Sequence, residues 1–116
     1  IGGALGSMAR YSTAAAVNRM MQSAFPWGTL VVNVAGSLLI GMLMVLLFKA
    51  GEWRENGRFL LVTGMMGGFT TFSSFSWETL KLLEDGRLIM AITNIFASIA
   101  ICLLATLVGA LLARQF

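Results

Sequence analysis

Apolar runs of about 20 residues, the length a helix needs to cross a bilayer, alternate along this chain with short polar breaks. The pattern resolves into four helical segments. The first is expected over 1–21, and residues 22–27 follow as a short loop containing Pro26, the only proline in the chain. The second helix is expected over 28–48. Residues 49–57 read as a polar loop carrying Glu52, Arg54, Glu55 and Asn56. The third helix is expected over 58–83 and the fourth over 87–113, with Glu84-Asp85-Gly86 as the turn between them and Gly86 as a left-handed helix stop. The pattern predicts an all-α membrane protein with residues 1–116 forming a single four-helix transmembrane domain.

The third segment is interrupted in a way the others are not. Residues 67–78 place two glycines, five hydroxyls, three phenylalanines and a carboxylate within twelve positions. Paired glycines and back-bonding serine or threonine weaken a helix. In lipid, an irregular backbone survives only where it is buried in protein or lines a cavity. The reading is therefore a break in helix 3 near Gly67–Thr71, at an ion or solute site.

Composition narrows the class. Of 116 residues 58% are hydrophobic and 11% charged, with a mean hydropathy of +0.85, where soluble domains carry about 25% charged residues. Four spans use nearly the whole length and leave no room for a soluble domain. The net charge of +3 comes from residues scattered at helix ends, which read as interfacial anchors and not as a nucleic-acid patch. With no histidine and a single cysteine, Cys102, the chain has no His-based acid–base chemistry, no Cys/His zinc set and no intrachain disulfide. It begins at Ile1, so further residues are expected to precede it, and Arg10 interrupts any signal-peptide reading of the first twenty. Lys49, Arg54, Arg58 and Arg114 fall on one side of the four spans; Arg19, Lys81 and Arg87 fall on the other. This four-to-three split gives almost no orientation signal. Either the preceding residues carry the bias, or the chain inserts both ways and opposite orientations pair.

Polar positions inside the spans are the candidates for chemistry. On helix 4, Asn94, Ser98, Cys102 and Thr106 recur every four residues and form a stripe about 18 Å long. Such a stripe serves interhelical hydrogen bonding, worth about 0.6 kcal/mol per contact, or a donor track for a small anion. Helix 2 has a comparable face in Thr29, Asn33, Ser37 and Gly41. Asn33 offers two N–H donors without a fixed negative charge, as an anion pathway requires, and would equally serve as a packing amide. Phe72 and Phe75 are read on one face with Glu78 and Thr79, beside the hydroxyls of Thr71, Ser73 and Ser74. Aromatic ring edges are electropositive, so rings and hydroxyls together can hold a dehydrated anion; ordinary packing is the alternative. Arg10, inside helix 1, would attract anions into a vestibule, pair with Glu78, or snorkel to the interface. Gly2-x-x-x-Gly6, Gly3-x-x-x-Ser7 and Gly64-x-x-x-Gly68 are small-residue faces for close helix packing.

Three of these motifs, taken in order, resemble the Fluc (CrcB) family of fluoride channels. Gly64, Gly67, Gly68, Thr70, Thr71, Phe72, Ser73, Phe75, Ser76 and Glu78 match the family's third-helix pattern, with Ser74 in place of a threonine. Gly2-Gly3-Ala4-Leu5-Gly6 followed by Arg10-Tyr11 looks like its first helix. Residues 26–33, Pro-Trp-Gly-Thr-Leu-Val-Val-Asn, look like the start of its second. The resemblance implies a fluoride-selective channel that passively exports F⁻, without catalysis, as an antiparallel, dual-topology homodimer with two pores. It implies an anion pathway at Asn33, Phe72 and Phe75, with Ser73, Ser74, Thr71, Asn94, Ser98 and Arg10 as further candidates. It also implies a central structural Na⁺ on the backbone carbonyls of Gly67 and Thr70 from both subunits. Some members of that family carry an aromatic residue or histidine where Asn94 stands, and an amide there still donates, so the track need not be broken. The expected location is the inner membrane of a bacterium, multi-pass, with F⁻, lipid and a second copy as partners and no nucleic acid. The alternatives are a small dual-topology multidrug exporter, which would want an acid where helix 1 has Arg10, and a non-transporting membrane subunit.

Overall fold

The structure, a computed structural model, describes residues 1–49 and 58–115, all of them in helices or short connections. The polar loop expected over 49–57 lies, from residue 50 on, outside the described residues. Helix α1 (Gly2–Met21) stops at Gln22, which takes a left-handed conformation, φ 45° and ψ 48°. A five-residue link then leads to α2 (Trp27–Lys49). Phe25 in this link is buried and lies against Trp27, ring centroids 4.8 Å apart. The first amides of a helix have no partner within it. Here Asn18, near the end of α1, reaches across and accepts from the Gly28 N–H at 2.9 Å.

The chain resumes in α3 (Arg58–Met66), wound with the wider i→i+5 spacing of a π-helix, and runs into one further turn, α4 (Gly67–Phe69). Thr70 and Thr71 are then extended, with φ/ψ of −78°/156° and −149°/117°. Helix α5 (Phe72–Glu84) starts directly after them, and α6 (Leu88–Ala113) follows the turn at 85–87. Gly86 adopts φ 77°, and the amides of Gly86 and Arg87 cap the carbonyls of Leu83 and Leu82 at 3.1 and 2.8 Å, the left-handed stop its position suggests.

Two glycine-lined contacts hold the helices together. The broadest is α2 against α6. A Cβ on Gly41 would strike the Thr106 carbonyl oxygen, and one on Gly109 would strike that of Leu38. The second is α1 against α3 and α4, where two of the small-residue faces meet each other. A Cβ on Gly6 would collide with the Met65 carbonyl, and one on Gly68 would lie 2.6 Å from the Gly3 carbonyl. Gly64 and Gly2 are in backbone contact in the same way. The Gly3–Ser7 face is different: a Cβ on Gly3 would meet nothing within 4 Å.

The buried residues of α6, namely Ala91, Asn94, Ser98, Gly109 and Ala113, fall on one stripe at helical spacing. The remainder of the helix, including Ile89, Phe96, Leu103 and Leu104, is exposed and apolar. Among the described residues α2 and α6 are long and apolar enough to cross a membrane, yet only 22% and 11% of those stretches are buried. A soluble core helix would be mostly covered, so these faces are built for lipid or for another apolar partner. Helix α1, with Arg10 and Arg19, and the composite α3–α4–α5 do not meet the same standard of apolar length.

Candidate functional site

The extended pair Thr70–Thr71 is held by a side chain standing in for a helix. Thr71 N–H would ordinarily donate to the carbonyl four residues back, that of Gly67. It donates instead to Asn33 Oδ1 at 2.8 Å, while Asn33 Nδ2 donates to the Thr71 carbonyl at 3.0 Å. One amide thus satisfies both backbone groups of a buried residue that has left the helix. The Thr71 hydroxyl then caps α5, accepting from Ser74 N–H at 3.2 Å. That bond diverts the donor which a continuous helix would aim at the Thr70 carbonyl. The amides that a continuous helix would aim at the Gly67 and Thr70 carbonyls thus go to side chains, and the Gly68 and Phe69 carbonyls likewise receive no amide from the start of α5. On the α2 side, Gly36 makes room for this link: a Cβ there would overlap the Thr70 methyl.

Two further ties fix α5. The Thr29 hydroxyl, in the first turn of α2, donates to Glu78 Oε1 at 2.5 Å. On the other flank Asn94, 2% exposed, donates from Nδ2 to Thr79 Oγ1 at 2.9 Å, and the Ser98 hydroxyl donates to Asn94 Oδ1 at 3.3 Å. Thr79 in turn donates to the Phe75 carbonyl at 2.7 Å. Every buried side-chain polar atom among the described residues has a partner.

These ties frame an open groove of about 400 Å³ between α2, the extended link, α5 and α6. Asn33, Ser37, Thr70, Thr71, Phe72, Phe75, Ser98 and Cys102 line it together with Gly36 and aliphatic side chains. The two phenylalanine rings lie 5.3 Å apart and tilted by 47°. Phe72 is 77% exposed in the single chain, and Phe75 is half-buried. The groove thus brings together Asn33, Phe72, Phe75, Thr71 and Ser98.

The other candidates lie elsewhere. Arg10 lines a cavity of about 350 Å³ between α1, α2 and the start of α5, with Tyr11, Asn18, Thr29, Thr71 and Ser74. Ser73 and Ser74 flank Glu78 and Trp77 in an adjoining hollow that Thr29 also lines. Thr71 borders both the groove and the Arg10 cavity. Asn94 lines none of these three cavities; it is packed between α5 and α6. Glu78 does not share a face with Phe72, because each step of three residues falls 60° short of a full turn and two such steps accumulate 120°. Among the described residues Arg10 has no acidic partner, and the one ion pair is Lys81–Asp85 at 3.9 Å. Sequence reasoning gave no role to Asn18 or Tyr11; nothing in their spacing signals that the start of α2 packs beside them. Among the described residues there is also no group of three or more acidic, Cys or His side chains able to hold a metal.

Four helical columns, glycine-mediated packing, a lipid-ready surface and a mostly apolar groove with a few polar groups beside an extended link define a small helical membrane protein. Residues 1–110 match the family described as CrcB-like protein, Camphor Resistance (CrcB), and the chain belongs to that family. It is 49% identical over 113 residues to a Geobacter sulfurreducens protein named "Fluoride-specific ion channel FluC", covering 97% of this chain and 91% of the relative. Proteins of the same name from Trichlorobacter lovleyi and Opitutus terrae are each 46% identical, covering 95% and 94% of this chain and 88% and 84% of the relatives.

Proposed function

We propose that this protein is a fluoride-selective ion channel that passively exports F⁻ across the inner membrane of a bacterium. The observation that carries the reading is the groove in which the Phe72 and Phe75 rings, the Asn33 amide and Ser98 converge from three separate elements. Fluoride must exchange tightly bound water for other partners, and neutral amide, hydroxyl and ring-edge groups supply them without trapping the ion. Proteoliposomes loaded with KF should release F⁻ once valinomycin shunts the potential, while KCl-loaded vesicles retain Cl⁻. Equal efflux of the two anions overturns the proposal.

The groove is open along one side and its rim is apolar, with Phe72, Ile99 and Leu103 exposed. In the proposed functional unit a second copy, inserted in the opposite sense, covers it, giving an antiparallel dimer with two pores. Variants biased to opposite orientations by added lysines should then be inactive alone and active together; full activity of one such variant by itself refutes the arrangement. A central Na⁺ is part of the same reading. Its support is the pair of carbonyls, Gly67 and Thr70, whose ordinary donors go to Asn33 and Thr71 instead. Carbonyl oxygens freed in mid-membrane suit a hard monovalent cation, which when bound would cross-link the two subunits. Exchanging Na⁺ for K⁺ should weaken the dimer, and an unchanged dimer removes the ion from the reading.

A further inference from the structure

Resting on the channel reading above, we propose that Asn94 is a positioning residue. It holds the Ser98 hydroxyl proton away from the groove, so that only a strong anionic acceptor can draw that proton toward itself, and it thereby sets the discrimination of fluoride against chloride.

The direction of each hydrogen bond in this chain is fixed by its far end. The Phe75 carbonyl can only accept. Its oxygen lies 2.7 Å from Thr79 Oγ1, a separation at which two oxygens repel unless a proton lies between them. The single Thr79 proton is therefore committed to Phe75, and Thr79 Oγ1 faces Asn94 with a lone pair. Asn94 must answer with its NH₂ group, 2.9 Å away, which turns its oxygen toward Ser98. Ser98 must then donate, and its proton points into the α5–α6 contact and not into the groove that the same residue lines. An ion in the groove meets the lone pairs of Ser98 first.

The three bonds are not equally firm. At 3.3 Å the Ser98–Asn94 bond is longer than the other two and beyond the usual range for a hydroxyl donor, so it is the link that yields. Rotation of the Ser98 hydroxyl toward an anion leaves Asn94 Oδ1 without a partner at a site only 2% exposed. Such an orphaned acceptor is unfavourable. The exchange proceeds when the new acceptor is much stronger than an amide oxygen. Fluoride, with its charge concentrated in a small radius, meets that condition better than chloride. Asn94 acts through Ser98 and need not touch the ion.

The test is a double-mutant cycle on the ratio of F⁻ to Cl⁻ efflux. Asn94→Leu keeps the volume and removes the acceptor, so Ser98 is free to donate to either anion. The ratio should fall about fivefold to tenfold, the size of one neutral hydrogen bond. In a Ser98→Ala background the same Asn94→Leu change should leave the ratio where Ser98→Ala alone puts it. Independent, multiplying effects of the two changes, or an unaltered ratio in Asn94→Leu, overturn the inference while wild-type selectivity leaves the channel reading standing. Absence of F⁻ efflux from the wild type overturns both. Should Asn94→Leu not fold, the side-chain amide resonance of Asn94 in ¹⁵N-asparagine-labelled wild-type protein serves instead. It should shift on titration with fluoride, not with chloride at equal concentration, and not at all in Ser98→Ala. A resonance indifferent to fluoride, or moved equally by both halides, rejects the mechanism.

Discussion

Helices α2 and α6 meet along an unbroken ridge, whereas α5 is attached to the same two helices mainly by hydrogen bonds. In the ridge the backbones approach closely enough that Gly41 and Gly109 have no room for a Cβ. Around α5 there is little backbone contact; the ties are Thr29 to Glu78, Asn33 to Thr71 and Asn94 to Thr79. Within a membrane, apolar packing between helices gains little over packing against lipid, so close approach and polar ties are the available means of association. The ridge uses the first and brings the two backbones into direct contact at Gly41 and Gly109. The α5 region uses the second, and the space left between its ties is the groove. A helix held at a few points leaves a passage, and a helix held along its length closes one.

The largest effect is expected from breaking the ridge. Gly109→Val places a branched side chain where a single Cβ would already overlap the Leu38 carbonyl and lie 3.1 Å from Met42 N. Backbone must move on both helices, at about 3 kcal/mol or more. The expected outcome is loss of monodisperse protein on size-exclusion chromatography. Gly3→Ala is the control, because a Cβ there meets nothing within 4 Å of the same chain; it should elute as wild type. Equal behaviour of the two variants would remove the close-approach account of the ridge.

Cutting one tie should cost less in stability and more in activity. Asn33→Leu leaves both the N–H and the carbonyl of buried Thr71 without their partners, a loss of about 3 kcal/mol. Asn33→Asp keeps the acceptor for the Thr71 N–H and loses only the donor, so thermal unfolding should lie between wild type and the leucine variant. It also sets a negative charge beside the groove, so F⁻ efflux should stay as low as in Asn33→Leu. An aspartate variant with restored efflux would confine Asn33 to a structural role.

The contrast between the regions also decides what was legible in the sequence. The Gly86 stop was readable, because it is a local signal that the fold uses unchanged; the ridge was not, since Gly41 read as part of a polar face and Gly109 carried no reading at all. Gly2, Gly6, Gly64 and Gly68 stood out as small-residue faces; the sequence could not say that they face one another. Residues 67–78 were recognisable as special from composition alone, yet their distribution around the site was not. The extended link redirects the chain just before α5, so Phe72 and Phe75 face the groove, while Ser73, Ser74 and Glu78 lie by Thr29 at the start of α2 and Ser74 alone also borders the α1 cavity. Asn94 and Ser98 read as equal members of one stripe, but one is sealed between helices and the other reaches the groove. Four-residue spacing fixes a face and not a depth, and depth depends on what packs opposite.

The smallest change in stability is expected at the phenylalanines, and it separates a functional surface from a packed one. Phe72 is 77% exposed in the chain, so Phe72→Ile should shift chain stability by no more than about 0.5 kcal/mol. Phe75 is half-buried against the groove wall, and Phe75→Ile should cost on the order of 1 kcal/mol. Neither loss is enough to unfold a helical membrane protein. Flux is different if ring edges hold the ion. Isoleucine keeps an apolar side chain and loses the electropositive edge, so F⁻ efflux per folded protein should drop by far more than the change in folded fraction. Methionine should be tolerated better, since its polarisable thioether fits irregular gaps. The elution profile recorded with the efflux keeps folding and conduction apart. Full efflux from both isoleucine variants would return these rings to ordinary packing, and α5 would then resemble the ridge in purpose as well as in chemistry.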